Sequence, residues 1–150
     1  MEKIKFEITI NATALKVYEI MLADATYKQW VAVFNPSSTY EGKWQSGEKM
    51  LFIGINSEGK REGMVSRIAI AEPGKQVCIE HLGMLVNEEE VTSGPAVEGW
   101  AGAMEEYFFT ETNGQTLVQV QMDSNEDFKA YFESTWPNAL LKLKEICESN

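Results

Sequence analysis

The side chains able to do chemistry are few: one histidine, His81, and two cysteines, Cys78 and Cys147, in a chain of 150 residues with 23 Asp and Glu. A metal centre needs a cluster of His, Cys or carboxylate ligands at short spacing. A lone histidine and two distant thiols do not provide one, so neither zinc nor iron is expected. The Gly-rich strand-to-helix turn of a dinucleotide or P-loop site is missing as well, so no cofactor is expected. A Ser-His-Asp or Cys-His relay would have to pass through His81, and no nucleophile-elbow sequence accompanies it. Each cysteine sits in an apolar pattern, which suits a buried free thiol better than a bridge.

His81 is the polar residue worth following, because Val77, Ile79 and His81 share one face of their strand by the two-residue period. If that face is the inner one, the imidazole points at whatever the sheet covers. There it can serve packing alone, orient a ligand or act in acid/base chemistry. Glu105, Tyr107 and Phe109 share a face of the next strand, Glu106, Phe108 and Thr110 share the other, and the sequence leaves open which is inward. Trp30, Phe34, Phe52, Met64, Trp100, Tyr107, Met122, Phe132 and Trp136 are core filling or the lining of an apolar pocket.

The elements that must position these residues show in the periodicity. Alternation over 3–10 predicts a half-buried strand with Ile4, Phe6, Ile8 and Ile10 on one face. Asn11 offers an N-cap oxygen to a helix with Leu15, Tyr18, Met21 and Leu22 inward, and Asp24 caps a second short helix over 24–30. Turn signals at Asn56-Ser57-Glu58-Gly59, Glu72-Pro73-Gly74-Lys75 and Thr112-Asn113-Gly114-Gln115 separate strands over 48–55, 61–71, 76–83, 104–111 and 115–123. Such short connections imply an antiparallel meander. The stretch 84–103, with several glycines and acidic residues, reads as a long loop and a flap over any cavity, with Trp100 as its apolar anchor. Over 126–148 the period returns to 3.6, with Phe128, Phe132, Trp136, Leu140, Leu143 and Cys147 in one stripe of a long helix that contains Pro137.

With 44% hydrophobic residues, 24% charged and only 4 prolines, the composition is that of a folded globular protein, and the length is that of one domain over 1–150. The net charge is −10, and the span 76–128 holds 11 acidic residues and no lysine or arginine. One part of the surface is therefore expected to be anionic, which disfavours nucleic acid and anionic membranes as partners. The first residues alternate rather than form a signal peptide, and no apolar run is long enough for a membrane span, so a cytoplasmic location is expected.

The order of strand, two short helices, meander and long helix is that of an α+β helix-grip (START/Bet v 1-like) fold, in which a curved antiparallel sheet wraps the last helix. Several segments carry a closer resemblance: Ile10-Asn11-Ala12-Thr13 opening the first helix, Trp30 ending the second, and Gly42-Lys43-Trp44-Gln45-Ser46-Gly47-Glu48 before a strand. Gly63-Met64-Val65 with Glu72-Pro73, and Trp136 followed by Leu140-Leu141-Lys142-Leu143-Lys144, extend it to the end of the chain. The chain resembles the START-like family related to the C-terminal domain of the activator of Hsp90 ATPase. That resemblance implies a cavity between sheet and last helix that binds an apolar or aromatic small molecule without catalysis. The cavity candidates are Trp30, Phe34, Phe52, His81, Trp100, Tyr107, Phe132 and Trp136, with no catalytic residue among them. The family also implies two alternatives: a stress-response module that contacts an Hsp90-type chaperone, and a cavity enzyme resembling polyketide cyclases. A monomer or a homodimer would fit any of the three.

Overall fold

In the computed structural model, which describes residues 1–149, the alternating first segment forms β1 (Glu2–Ile10) with Ile4 and Ile10 buried and the lysines outward. The chain then enters α1 (Ala14–Leu22) and α2 (Asp24–Val31). The cap of α1 is Thr13, whose hydroxyl accepts from the Lys16 N–H at 3.3 Å, and not Asn11 as the sequence suggests. A turn closed by Ala12 N–H and the Ile10 carbonyl delays the helix, and the Asn11 N–H donates to the Glu148 carboxylate at 2.8 Å instead. Asp24 is not a cap either. Ala23 ends α1 and begins α2, so the position has no capping side chain, and Asp24 sits in the first turn facing Lys28 at 3.4 Å. The buried stripe of α1 is Ala14, Val17, Tyr18, Met21 and Leu22, while Leu15, expected inward, lies exposed beside it.

The meander follows as β2 (Thr39–Gly42), β3 (Lys49–Ile55), β4 (Arg61–Glu72), β5 (Gln76–Val86), β6 (Glu89–Val91), β7 (Met104–Thr112) and β8 (Gln115–Ser124). All pairings are antiparallel, in the order β1-β8-β7-β5-β4-β3-β2, with β6 on β5. Two strands were not legible in the sequence: β2, and the short β6 inside the segment read as a loop. The strand at 76–83 continues to Val86, turns back through Asn87 and Glu88 in left-handed conformation, and pairs Met84 with Val91.

The sheet curves where its register breaks. Val65 pairs with Gly83 and Ser66 with His81, so Leu82 is an extra residue and the facing of β5 shifts across it. Gly63, at φ 152°, lies so close to β3 that a β-carbon would stand 1.8 Å from the Phe52 carbonyl oxygen. The last helix, α3 (Glu126–Ser149), runs through Pro137 and buries Trp136, Ala139, Leu140, Leu143, Ile146 and Cys147. Its first half differs from the stripe read in the sequence: Phe128 and Tyr131 are exposed and Phe132 is only partly buried. The fold is therefore α+β, a curved antiparallel sheet around a long C-terminal helix with two short helices after the first strand. No helix among the described residues is long and apolar enough to cross a membrane.

Candidate functional site

A cavity of about 380 Å³ remains between the sheet and the first half of α3, within the size range of small-molecule sites. All eight cavity candidates line it. From α2 comes Trp30, held by its indole N–H on the Met21 carbonyl at 2.9 Å, and Phe34 follows at the end of the turn after it. The last helix contributes Phe132 and Trp136, with Phe128 at the exposed rim. The sheet supplies Phe52 from β3, His81 from β5 and Tyr107 from β7, and Trp100 enters from the segment between β6 and β7.

The rings form one connected wall. Trp136 lies 5.8 Å from Trp30, 5.1 Å from Phe34 and 6.0 Å from Tyr107 between centroids, and Phe52 meets the His81 ring at 6.2 Å. The Trp136 indole N–H is buried among these rings with no hydrogen-bond partner among the described residues. Tyr27, Met64, Met84 and Met122 complete the apolar surface, and the break in register at Leu82 is what lets both His81 and Met84 face inward.

The face of β7 left open by the sequence is settled by burial: Glu105, Tyr107 and Phe109 point inward. A polar chain results. The Ser66 hydroxyl lies 2.7 Å from His81 Nδ1, His81 Nε2 lies 3.0 Å from Glu105 Oε1, and the Tyr107 hydroxyl donates to Glu105 Oε2. Burial pushes the Glu105 carboxyl up, but the hydrogen bond and electrostatic attraction of His81, and then the hydrogen bond from Tyr107, outweigh it and hold the group below its ordinary value. Burial and then the neighbouring Glu105 charge push Tyr107 well above the ordinary phenol value, and the same two causes raise Tyr27.

The order Ser66, His81, Glu105 has the connectivity of a nucleophile relay, but Ser66 is fully buried and does not line the cavity. Its hydroxyl is placed to orient the imidazole, not to attack a ligand. Cys78 and Cys147 are buried free thiols, each pushed up to about 11 chiefly by burial, so neither is an activated nucleophile. Among the described residues no group of three or more His, Cys, Asp or Glu could hold a metal ion.

The segment after β6 is more firmly held than a free flap. His81 N–H donates to the Ala103 carbonyl at 2.9 Å and Gly102 N–H to the His81 carbonyl at 2.8 Å, so 102–103 continues the pairing that β7 gives up beyond Glu80. Its buried anchor is Val97, while Trp100 is only half-buried and turns toward the cavity. Sequence reasoning did not single out Tyr27, Met84 or Glu105 as cavity residues, nor Ser66 as the partner of His81. For Glu105 the available signal was its spacing from Tyr107, which put both on one face of the strand.

No protein-family model matches the chain, and no curated protein matches it in sequence. Solved structures do match over nearly its whole length. The Aha1 dimer from Colwellia psychrerythraea, a solution structure, is 23% identical with a TM-score of 0.69 and covers 99% of this chain and 97% of its own. Protein NE0264 from Nitrosomonas europaea is 13% identical at TM-score 0.73, covering 98% and 94%. CalU16 from Micromonospora echinospora is 15% identical at TM-score 0.64, covering 96% and 73%. This is a helix-grip fold. At these identities the likeness speaks for the fold alone, and the site must be argued from this chain's own residues.

Proposed function

We propose that this chain binds an apolar or aromatic small molecule in the cavity between the sheet and α3, without chemistry on it. The observation that carries the reading is the cavity of about 380 Å³, walled by aromatic and methionine side chains with a few inward polar groups. Pockets of that size and polarity are the usual form of small-molecule sites. Against catalysis stands the enclosure of Ser66, which leaves the His81 relay without a nucleophile that a ligand can reach.

The test uses N-phenyl-1-naphthylamine, an uncharged probe that brightens in apolar surroundings. Trp30, Trp100 and Trp136 all line the cavity, so saturable probe binding should also change tryptophan emission. Absence of both signals, together with no small molecule retained by the protein in native mass spectrometry, would overturn the reading.

A second reading, a module that contacts an Hsp90-type chaperone, draws on the likeness to the Colwellia Aha1 dimer over the full chain. It does not compete for the cavity, since a chaperone would meet the outer surface.

A further inference from the structure

We infer that the cavity selects a cationic amine: a protonated nitrogen seated at Glu105, carried on an apolar or aromatic body that lies among the rings. The inference rests on the binding reading above and adds the chemical class of the ligand.

The first support is charge. Ser66 is fully buried, and its hydroxyl has one hydrogen-bond partner among the described residues, His81 Nδ1 at 2.7 Å. The arrangement that uses the hydroxyl's own proton has it donate to Nδ1, and we take this arrangement: Nδ1 is then the acceptor and the single ring proton lies on Nε2. That proton is donated to Glu105 Oε1 at 3.0 Å. The pair is then a neutral imidazole and an ionised carboxylate, which leaves a net negative charge in an apolar wall. Asp123, the other carboxylate of the lining, is already answered by Lys3 at 3.3 Å and by the Met104 N–H at 2.9 Å. No lysine or arginine side chain lines the cavity among the described residues.

The second support is unused accepting capacity. Each carboxylate oxygen can accept more than one hydrogen bond, and Glu105 receives one on each, from His81 and from Tyr107. Tyr27, only 7% exposed and part of the lining, has no side-chain hydrogen-bond partner among the described residues. Its oxygen and the remaining lone pairs of Glu105 are what a protonated amine, with several N–H groups, can satisfy.

The third support is the wall itself. A cation near the faces of Trp and Tyr is attracted by their ring quadrupoles, most strongly where water is excluded. Tyr107, which touches Glu105, and the Trp136 and Trp30 rings connected to it supply such faces in the cavity wall. An anionic ligand would meet the Glu105 charge, and no lysine or arginine side chain of the lining answers it.

Three probes of one shape separate these cases on the full chain at neutral pH: 1-naphthylmethylamine, 1-naphthalenemethanol and 1-naphthoic acid, with binding read by calorimetry. The amine should bind more tightly than the alcohol by roughly tenfold or more, as a charge-assisted hydrogen bond provides, and the acid most weakly. Equal affinity for amine and alcohol, or tightest binding of the acid, overturns the inference and leaves the cavity reading standing. Failure of all three, with the uncharged probe failing too, removes both. Glu105→Gln should erase the preference of the cavity for the amine over the alcohol, and a preference that survives overturns the assignment to Glu105. Should that variant not fold, ring nitrogen shifts of His81, the sole histidine, decide in the wild-type protein. A neutral ring protonated on Nε2 is expected, and a doubly protonated ring would overturn the inference by cancelling the charge.

Discussion

Glu105 ties the cavity to the stability of the fold. Burial works against its charge, yet the hydrogen bond and attraction of His81 and the hydrogen bond from Tyr107 prevail, so the carboxyl holds its proton less tightly in the folded chain than an ordinary glutamate does. The ionised form therefore favours folding. That contribution is complete above the unfolded value, roughly 4.3, and is lost as the pH falls through the lower folded value. Urea unfolding of the wild type should lose stability more steeply on acidification from about pH 5 to about pH 3 than Glu105→Gln does. Parallel curves would show that the folded environment does not favour the ionised carboxyl.

At the scale of elements, the cavity depends on the curvature of β3, β4 and β5. Gly63 allows β4 to pass β3 at a distance no side chain could occupy, in a left-handed conformation that L residues rarely adopt. Gly63→Ala should lower stability by more than about 1 kcal/mol, read as a loss of a few degrees in Tm. An unchanged Tm would mean that the strands can separate there without cost. The other side of the opening is set by α3. Its second half is packed by Leu140, Leu143 and Cys147, whereas Phe128 and Tyr131 in the first half stay exposed over the space.

Across the whole molecule, part of the acidic span is answered by cations distant in sequence. Strand pairing brings cations from the first half of the chain beside it: Lys3 reaches Glu106 at 3.6 Å and Asp123 at 3.3 Å, and Arg67 reaches Glu80 at 2.8 Å. Lys49 similarly meets Glu90 at 2.6 Å. Exposed pairs of this kind contribute little each, and the net charge of −10 remains as a diffuse repulsion. Raising NaCl from about 10 to about 150 mM shortens the screening length to roughly 8 Å, so Tm should rise. A fall would show that the paired charges outweigh the repulsion.

The sequence by itself determined the kinds and order of the main elements, because alternation at 3–10 and 115–123 and the helical period at 126–148 are local signals. It also determined the aromatic stock from which the cavity is lined. The short strands β2 and β6 were not legible, since a three- or four-residue strand has no periodicity of its own and exists through its partner. Nor could the sequence choose the inward face of β7, or show that Lys3 and Arg67 would answer a distant acidic run, because both follow from strand pairing. The chain from Ser66 through His81 to Glu105 joins three strands, β4, β5 and β7. Only the tertiary structure could assemble it: each hydrogen bond depends on a register between strands, and a slip of one residue would turn these side chains to the opposite face.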